Sequence, residues 1–217
     1  HSNAQENEDE IKLDEIEILS SPRIEIESSQ NSISVVSISR EEIQNSTATN
    51  VSELLQQIAG IDIRRRGVEG MQADLYIRGG SFDQTLLLID GIKVEDPQTG
   101  HHTMNMTLPL EVIEKIEITK GAASRIYGQN AFTGAINIIT KRNIKNNISL
   151  GLSAGSFSQK RAAVTIQRKF KNSDLLINYN RKESEGYRYN TDFKNDEFFI
   201  KSKFKIKNQK ISVIAAF

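Results

Sequence analysis

The sequence predicts an α+β domain that gives way, near Asn146, to an antiparallel β-meander. Three observations carry that prediction. As far as about Arg142, short β-branched runs alternate with helix-start signals. Beyond Asn146 the apolar spacing becomes strictly two-residue, the period of a strand. The later runs are separated by polar turns of alternating length, KNSD and KNQK against ESEGYRYNTDFKND.

His1–Ala4 reads as a tag scar. With it, residues 1–12 form an acidic terminus whose composition predicts disorder. EIEIL (Glu15–Leu19) alternates and is closed by Ser20, Ser21 and Pro22, which predicts an edge strand or a free extended arm. ISVVSI (Ile33–Ile38) is a strand, followed by the capping box Ser39-Arg40-Glu41-Glu42. A second box, Asn50 to Glu53, opens a helix with Val51, Leu54, Leu55 and Ile58 on one face and Gly60 placed to end it. IDIRR, DLYIR and TLLLID are further strands, and Asp90-Gly91 is a hairpin-turn dipeptide with Ile92-Lys93-Val94 returning. Pro109–Glu114 predicts a short helix with Pro109 at its first position. KIEITKG, the glycine-bounded GAASRIYG and the strand AINIIT complete the domain.

In the last third, Ile148, Leu150 and Leu152 alternate with Ser149, Gly151 and Ser153. The clearest run is FFIKSKFKIK, with Phe198, Ile200, Phe204 and Ile206 on one face and Lys201, Lys203, Lys205 and Lys207 on the other. Such a meander suits a transmembrane β-barrel or a soluble sheet with one wet face, and the pattern alone does not choose. Its five runs cannot close a barrel around the preceding domain, so the expectation is that the chain holds only the start of that sheet.

Composition narrows the function. The chain has 217 residues with 28 basic and 28 acidic side chains, so no basic excess points to nucleic acid. There is no cysteine, which removes disulfides and thiol chemistry. The two histidines beyond His1 are adjacent, so a Ser-His-Asp set has no support, and an enzyme is not expected. No apolar run is long enough for a membrane-spanning helix.

Three stretches, taken together, resemble the TonB-dependent outer-membrane receptors: LYIRGGSFDQTLLLIDGIKV (Leu75–Val94), VIEKIEITKGAASRIYGQNAFTGAINIITK (Val112–Lys141), and LDEIEILSSPR (Leu13–Arg23), which is similar to the family's Ton box segment. The match runs in family order over about residues 13–142. Two departures stand out: Lys120-Gly121-Ala122 where the family often has Arg-Gly-Pro, and a Ton box more acidic than usual.

The resemblance implies an α+β plug domain, a small mixed sheet with short helices, followed by antiparallel strands that begin a 22-stranded transmembrane β-barrel. It divides the chain into 1–12, the acidic terminus; 13–23, Ton box segment and linker; 24–142, plug; and 143–217, the first barrel strands. It implies a place in the outer membrane, with the plug in the barrel lumen, the Ton box in the periplasm and lipids around the wall. The implied activity is energy-coupled uptake of a scarce bulky ligand of the ferric siderophore, haem or cobalamin class. The alternatives are a glycan- or peptide-uptake member acting with a surface lipoprotein, or a surface receptor that binds without transport. No cofactor or resident metal is called for. The expected partner is the C-terminal domain of TonB, which takes Asp14, Glu15, Ile16, Glu17, Ile18, Leu19 and Ser20 as an added strand.

Two plug loops are expected to face the substrate, one carrying Arg64, Arg65, Arg66 and Gln72, the other Asp96, Gln98, His101, His102, Met104 and Met106. Three consecutive arginines suit an anionic ligand, but alternation along IDIRR equally lets one pair with Glu69 or a wall carboxylate. In GHHTMNM, His102, Met104 and Met106 have the spacing and chemistry for a soft metal. Without an orienting carboxylate the stretch reads better as a substrate-facing loop, its methionines packing beneath. Arg78 and Arg125 are expected to tie plug to wall through ion pairs.

Overall fold

The computed structural model describes residues 17–21, 24–27, 35–96, 104, 106–207 and 209–217; the side chains of 17–21, 24–27 and 125 lie outside that description. The first strands, β1 (Glu17–Ser21) and β2 (Ile24–Glu27), pair as an antiparallel hairpin. The second half of that hairpin, IEIE, was not anticipated in the sequence.

Strand β3 (Val35–Ile38) leads into α1 (Arg40–Asn45) through the expected capping box. The Glu42 amide donates to Ser39 Oγ at 3.3 Å, and the Ser39 amide to Glu42 Oε2 at 2.6 Å. Helix α2 (Val51–Gln56) is capped by Asn50 Oδ1, which accepts from the Glu53 amide at 2.9 Å. Here the box is altered. The Glu53 carboxylate reaches past Asn50 to the Thr49 amide at 2.7 Å. The apolar face of α2, Val51, Leu54 and Leu55, is buried as its spacing requires.

Strands β4 (Ile61–Arg65) and β5 (Ala73–Ile77) form a separate hairpin. The main sheet of this domain adds β6 (Thr85–Ile89), β7 (Ile92–Val94), β8 (Ile113–Lys120) and β9 (Gly134–Thr140) to β3, in the order β3-β8-β9-β6-β7. Only β6 and β9 run parallel. Every residue of β9 is buried, because apolar groups cover both faces of the sheet. Ile136 and Ile138 join the main core, while Ala135 packs with Leu86, Leu88, Ala123 and Ala131 on the other side. Each isoleucine so buried contributes roughly 1.5–3 kcal/mol.

The Asp90-Gly91 turn has φ of 50° and 80°, the double left-handed geometry of a type I′ hairpin, as the dipeptide predicts. The helix expected over Pro109–Glu114 is instead a single 3-10 turn, Leu110–Val112. Ile113 already pairs with Thr140 on β9, and that ladder, with Val112 and Ile113 fully buried, outweighs the local helical preference. GAASRIYG contains a four-residue helix, α3 (Ser124–Tyr127), ended by Gly128 at φ 83°. Gly134 permits a close approach that no side chain tolerates. A Cβ there would lie 2.5 Å from the Thr119 carbonyl oxygen and 2.8 Å from Ile77 Cδ1. Gly134→Ala is expected to destabilise this domain by about 1–3 kcal/mol, read as a lowered denaturant midpoint.

The last third forms one antiparallel meander, β10 (Asn147–Ala154), β11 (Lys160–Lys169), β12 (Ser173–Ser184), β13 (Phe193–Ile206) and β14 (Gln209–Ala216). The two faces of this sheet are reversed relative to a soluble protein. Ile148, Leu150, Leu152, Tyr179, Phe198, Phe204 and Val213 are exposed. Thr165, Asn178, Asn180, Lys182, Glu197 and Lys201, on the opposite face, are buried against the first domain. A sheet that hides its polar face and shows its apolar one suits lipid outside and a polar lumen within.

Candidate functional site

The loop between β4 and β5 and the segment before the 3-10 turn meet β12 and β13 around one cavity of about 210 Å³. Arg65, Glu69, Met104, Met106, Lys182 and Glu197 all contribute to its lining. The cavity is mixed in character, with cations, carboxylates and thioethers on one wall or another. Arg65, Glu69, Lys182 and Glu197 each already have hydrogen-bonding partners. Arg65 pairs with Glu53 at 3.1 Å and donates to Asn50 Oδ1 at 3.1 Å. Lys182 donates to the Thr49 carbonyl at 3.0 Å and to Glu69. Glu197 accepts from Asn180 at 2.8 Å and Asn195 at 3.0 Å.

Two carboxyls here, Glu69 and Glu53, are shifted in opposite directions by their surroundings. Burial raises the Glu69 carboxyl above its ordinary range, and the ammonium of Lys182 only partly opposes it. Burial acts on Glu53 in the same sense, but hydrogen bonds from the Thr49 amide and hydroxyl, with Arg65, outweigh it and hold that carboxyl below its usual value.

The three arginines diverge. Arg65 points into the cavity and pairs with Glu53, so the partner is on the helix α2 rather than Glu69 or the wall. Arg64 lies on the other face of its strand, bonded to Asp62 at 2.8 Å and stacked 4.4 Å over the Tyr76 ring. Arg66 is exposed, 4.0 Å from Asp74, to which Gln72 also donates at 3.2 Å. Asp96 is half-buried. Gln98, His101 and His102 lie outside the described residues. Met104 is only 5% exposed and belongs to the apolar core, with Met106 packed against it, so burial rather than a loop-tip position describes these two thioethers. Among the described residues no three His, Asp or Glu side chains gather as a metal site.

Contacts between the first domain and the meander fall on residues to which the sequence assigns other roles or none. Lys201, on β13, donates to Asp90 Oδ2 at 2.6 Å and to Thr140 Oγ1. The same Asp90 accepts from the Thr140 amide at 2.9 Å and its hydroxyl at 2.7 Å. Among the described residues, Glu69–Lys182 and Glu111–Arg161 also pair across the joint. Arg78, expected in this role, instead sits at φ 51° with its amide donating to the Gly60 carbonyl at 3.0 Å. Its side chain is exposed over Gly121 and makes no ion pair to the wall among the described residues. The Arg125 side chain lies outside the description. Lys182 and Lys201 are inward members of an alternating lysine and asparagine face, and nothing in that alternation separates them from solvated neighbours. The turn dipeptide Asp90-Gly91 was visible, but as a turn.

Of the seven residues expected to meet TonB, Asp14, Glu15 and Ile16 lie outside the described residues. Glu17–Ser20 fall in β1, which among the described residues pairs only with β2 and leaves its other edge open.

Comparison with known proteins places this geometry. Residues 26–135 match the family model described as TonB-dependent Receptor Plug Domain. The vitamin B12 transporter BtuB of Vibrio vulnificus strain CMCP6 is 30% identical over 168 residues, 77% of this chain and 27% of that protein. BtuB of Vibrio cholerae is 36% identical over 132 residues, 61% of this chain and 21% of that protein. Among solved structures, the pyoverdine outer membrane receptor FpvA from Pseudomonas aeruginosa PAO1, bound to pyoverdine, superposes with a TM-score of 0.75 at 17% identity. It matches 92% of this chain and 29% of its own. The ferric yersiniabactin uptake receptor FyuA from Yersinia pestis gives 0.68 at 18% identity, over 87% of this chain and 32% of its own. The chain thus spans less than a third of the length of each of these relatives, and the structural matches describe fold: a plug domain followed by antiparallel strands at the start of a barrel.

Proposed function

Because this chain belongs to the TonB-dependent receptor plug domain family, we propose that it is the plug and opening wall of an outer-membrane transporter. In this reading residues 24–142 form the plug, 143–217 begin the barrel, and 13–23 carry the Ton box into the periplasm. The ligand is scarce, bulky and of the cobalamin, ferric siderophore or haem class, taken up at the cost of energy delivered by TonB. The observation that carries the reading is the reversed sheet, whose polar face is buried on the plug while its apolar face is exposed. A wall of that kind separates lipid from a filled lumen, and a filled lumen blocks diffusion until work is done on the plug.

The energy link rests on Asp14–Ser20. Strand addition needs an extended segment with free backbone donors and acceptors, and the open edge of β1 supports it. The cavity shared by the two loops supports a ligand-facing side, since it lies at the end of β12 and β13 that carries the longer connection, 185–192. Deleting residues 14–20 is expected to abolish capture of the TonB C-terminal domain and to reduce uptake of labelled cobalamin, ferric chelate or haem to the level of a strain lacking TonB. Binding of the same ligand at the cell surface is expected to persist. Unchanged capture of TonB by the deletion variant would refute the assignment of the box.

A further inference from the structure

The balance of 28 acidic and 28 basic residues conceals a separation of charge. The stretch QENEDEIKLDEIE, residues 5–17, holds seven carboxylates against Lys12 alone. The two short turns of the wall show the converse. RKFKNSD, residues 168–174, and KFKIKNQK, residues 203–210, together hold seven cations against Asp174 alone. Each run carries six charges in excess, of opposite sign.

The two basic turns are joined in space. The Lys205 amide donates to the Asn172 carbonyl at 2.9 Å, which brings the β11–β12 turn against the β13–β14 turn. Strand alternation puts Lys203 and Lys205 on the same face as Lys201, the face that the plug covers higher up. Register adds Lys210, opposite Lys205, and Asp174, opposite both Lys203 and Lys169. Lys169, Lys203, Lys205 and Lys210 line a cavity of about 400 Å³ at the rim of the wall, with Phe170, Phe204 and Ile211 on its outer side, and Asp174 is its only carboxylate among the described residues. Like charges directly opposite on neighbouring strands repel, so the Lys205–Lys210 pair is unfavourable unless an anion lies between or beside the two.

We propose that this basic mouth binds the chain's own acidic segment, residues 6–17. The proposal rests on the transporter reading above, which puts the short turns and the Ton box on the same, periplasmic side. The dozen residues ahead of β1 span up to ~40 Å when extended, enough to cross a barrel mouth. An anionic lipid headgroup is the competing occupant. It fits less well, because four of the seven cations lie on the inner face. Phe170, Phe204 and Ile211, which are exposed, are the groups that lipid would meet. Docking of the arm holds the segment that TonB must grasp against the wall by charge alone, so salt or a competing strand releases it.

These 217 residues hold no cysteine, so a single label can be placed within them. In the full-length receptor in nanodiscs, a spin label on Ile11→Cys is expected to be immobilised at low ionic strength. Salt at about 0.5 M should free it, as should the triple variant Lys203→Gln, Lys205→Gln, Lys210→Gln. Reversing both partners, with those lysines changed to glutamate and Glu6, Glu8 and Glu10 changed to lysine, should immobilise it again. Equal mobility in the parent and the triple variant would overturn the proposal. So would immobilisation that requires phosphatidylglycerol in the disc and disappears in phosphatidylcholine, which would make the mouth a headgroup site. Capture of the TonB C-terminal domain by the same samples reports separately: if it fails throughout while the label stays held, the energy-coupling reading falls and the docked arm stands.

Discussion

Replacing Lys201 with methionine is expected to destabilise the joint between plug and wall by about 3–5 kcal/mol, the cost of stripping one partner from a buried ion pair. The side chain is only 4% exposed, and its ammonium bonds both Asp90 and Thr140. Methionine keeps most of the apolar stem, so the loss isolates the charge. What remains is a carboxylate 13% exposed, held by two bonds from Thr140 and facing an apolar neighbour. Asp90→Asn in the same background removes the orphaned charge while keeping a residue that tolerates φ of 50°. The double variant is therefore expected to recover most of the loss, and a double-mutant cycle should give a coupling of more than about 1 kcal/mol. Hydrogen exchange of the β6 and β9 amides in detergent provides the readout, because Asp90 directly follows β6 and Thr140 ends β9. A single-variant change below about 1 kcal/mol would mean that the pair is solvated in the receptor and does not secure the plug.

Phe199→Ala is the second large effect, expected at about 3–5 kcal/mol. Phe199 is fully buried on the inner face of β13 and joins the plug's core together with Leu176 from β12. With Ala163 and Ile214 they are the buried or half-buried apolar positions among the described residues of a face otherwise lined by Thr165, Gln167, Asn178, Asn180, Lys182, Glu197 and Lys201. Truncation leaves a cavity in a joint that polar neighbours cannot collapse into without breaking their own bonds. Phe198→Ala, one residue away and exposed on the apolar face, is the control. In detergent it should change the denaturant midpoint far less. If the two variants behave alike, the assignment of faces is reversed.

The fold was legible where local chemistry and tertiary packing ask for the same thing. The box at Ser39 and Glu42, the Asp90-Gly91 hairpin and the two-residue period after Asn146 all mark structures that would be favoured in isolation. The 3-10 turn at Leu110 was not legible, because the pairing of Ile113 with Thr140 is decided by a strand some 25 residues further on. The faces of the meander were legible as faces, but not as inside and outside. Alternation is symmetric, and only the seating of the polar side against the plug breaks the symmetry. At the candidate site, residues of the two loops named from the sequence line one cavity, but their side chains lie otherwise than the sequence suggested. Arg65 turns inward to Glu53, and Met104 is core. The lysines that secure the joint were hidden by their likeness to Lys203 and Lys205, which differ from Lys201 only in what lies opposite them.

The three ion pairs across the joint among the described residues have a bearing on which plugs this wall can accept. Lys182, Lys201 and Arg161 belong to the wall, and Glu69, Asp90 and Glu111 to the plug. Each half therefore carries a pattern of charge that is a liability alone and is neutralised only by its counterpart. A plug transplanted from a relative with different groups at these three places would leave Lys182 and Lys201 buried without their carboxylates, however well its sheet superposed. Exchange of segments that keeps both members of each pair is therefore expected to preserve the joint better than exchange that separates them.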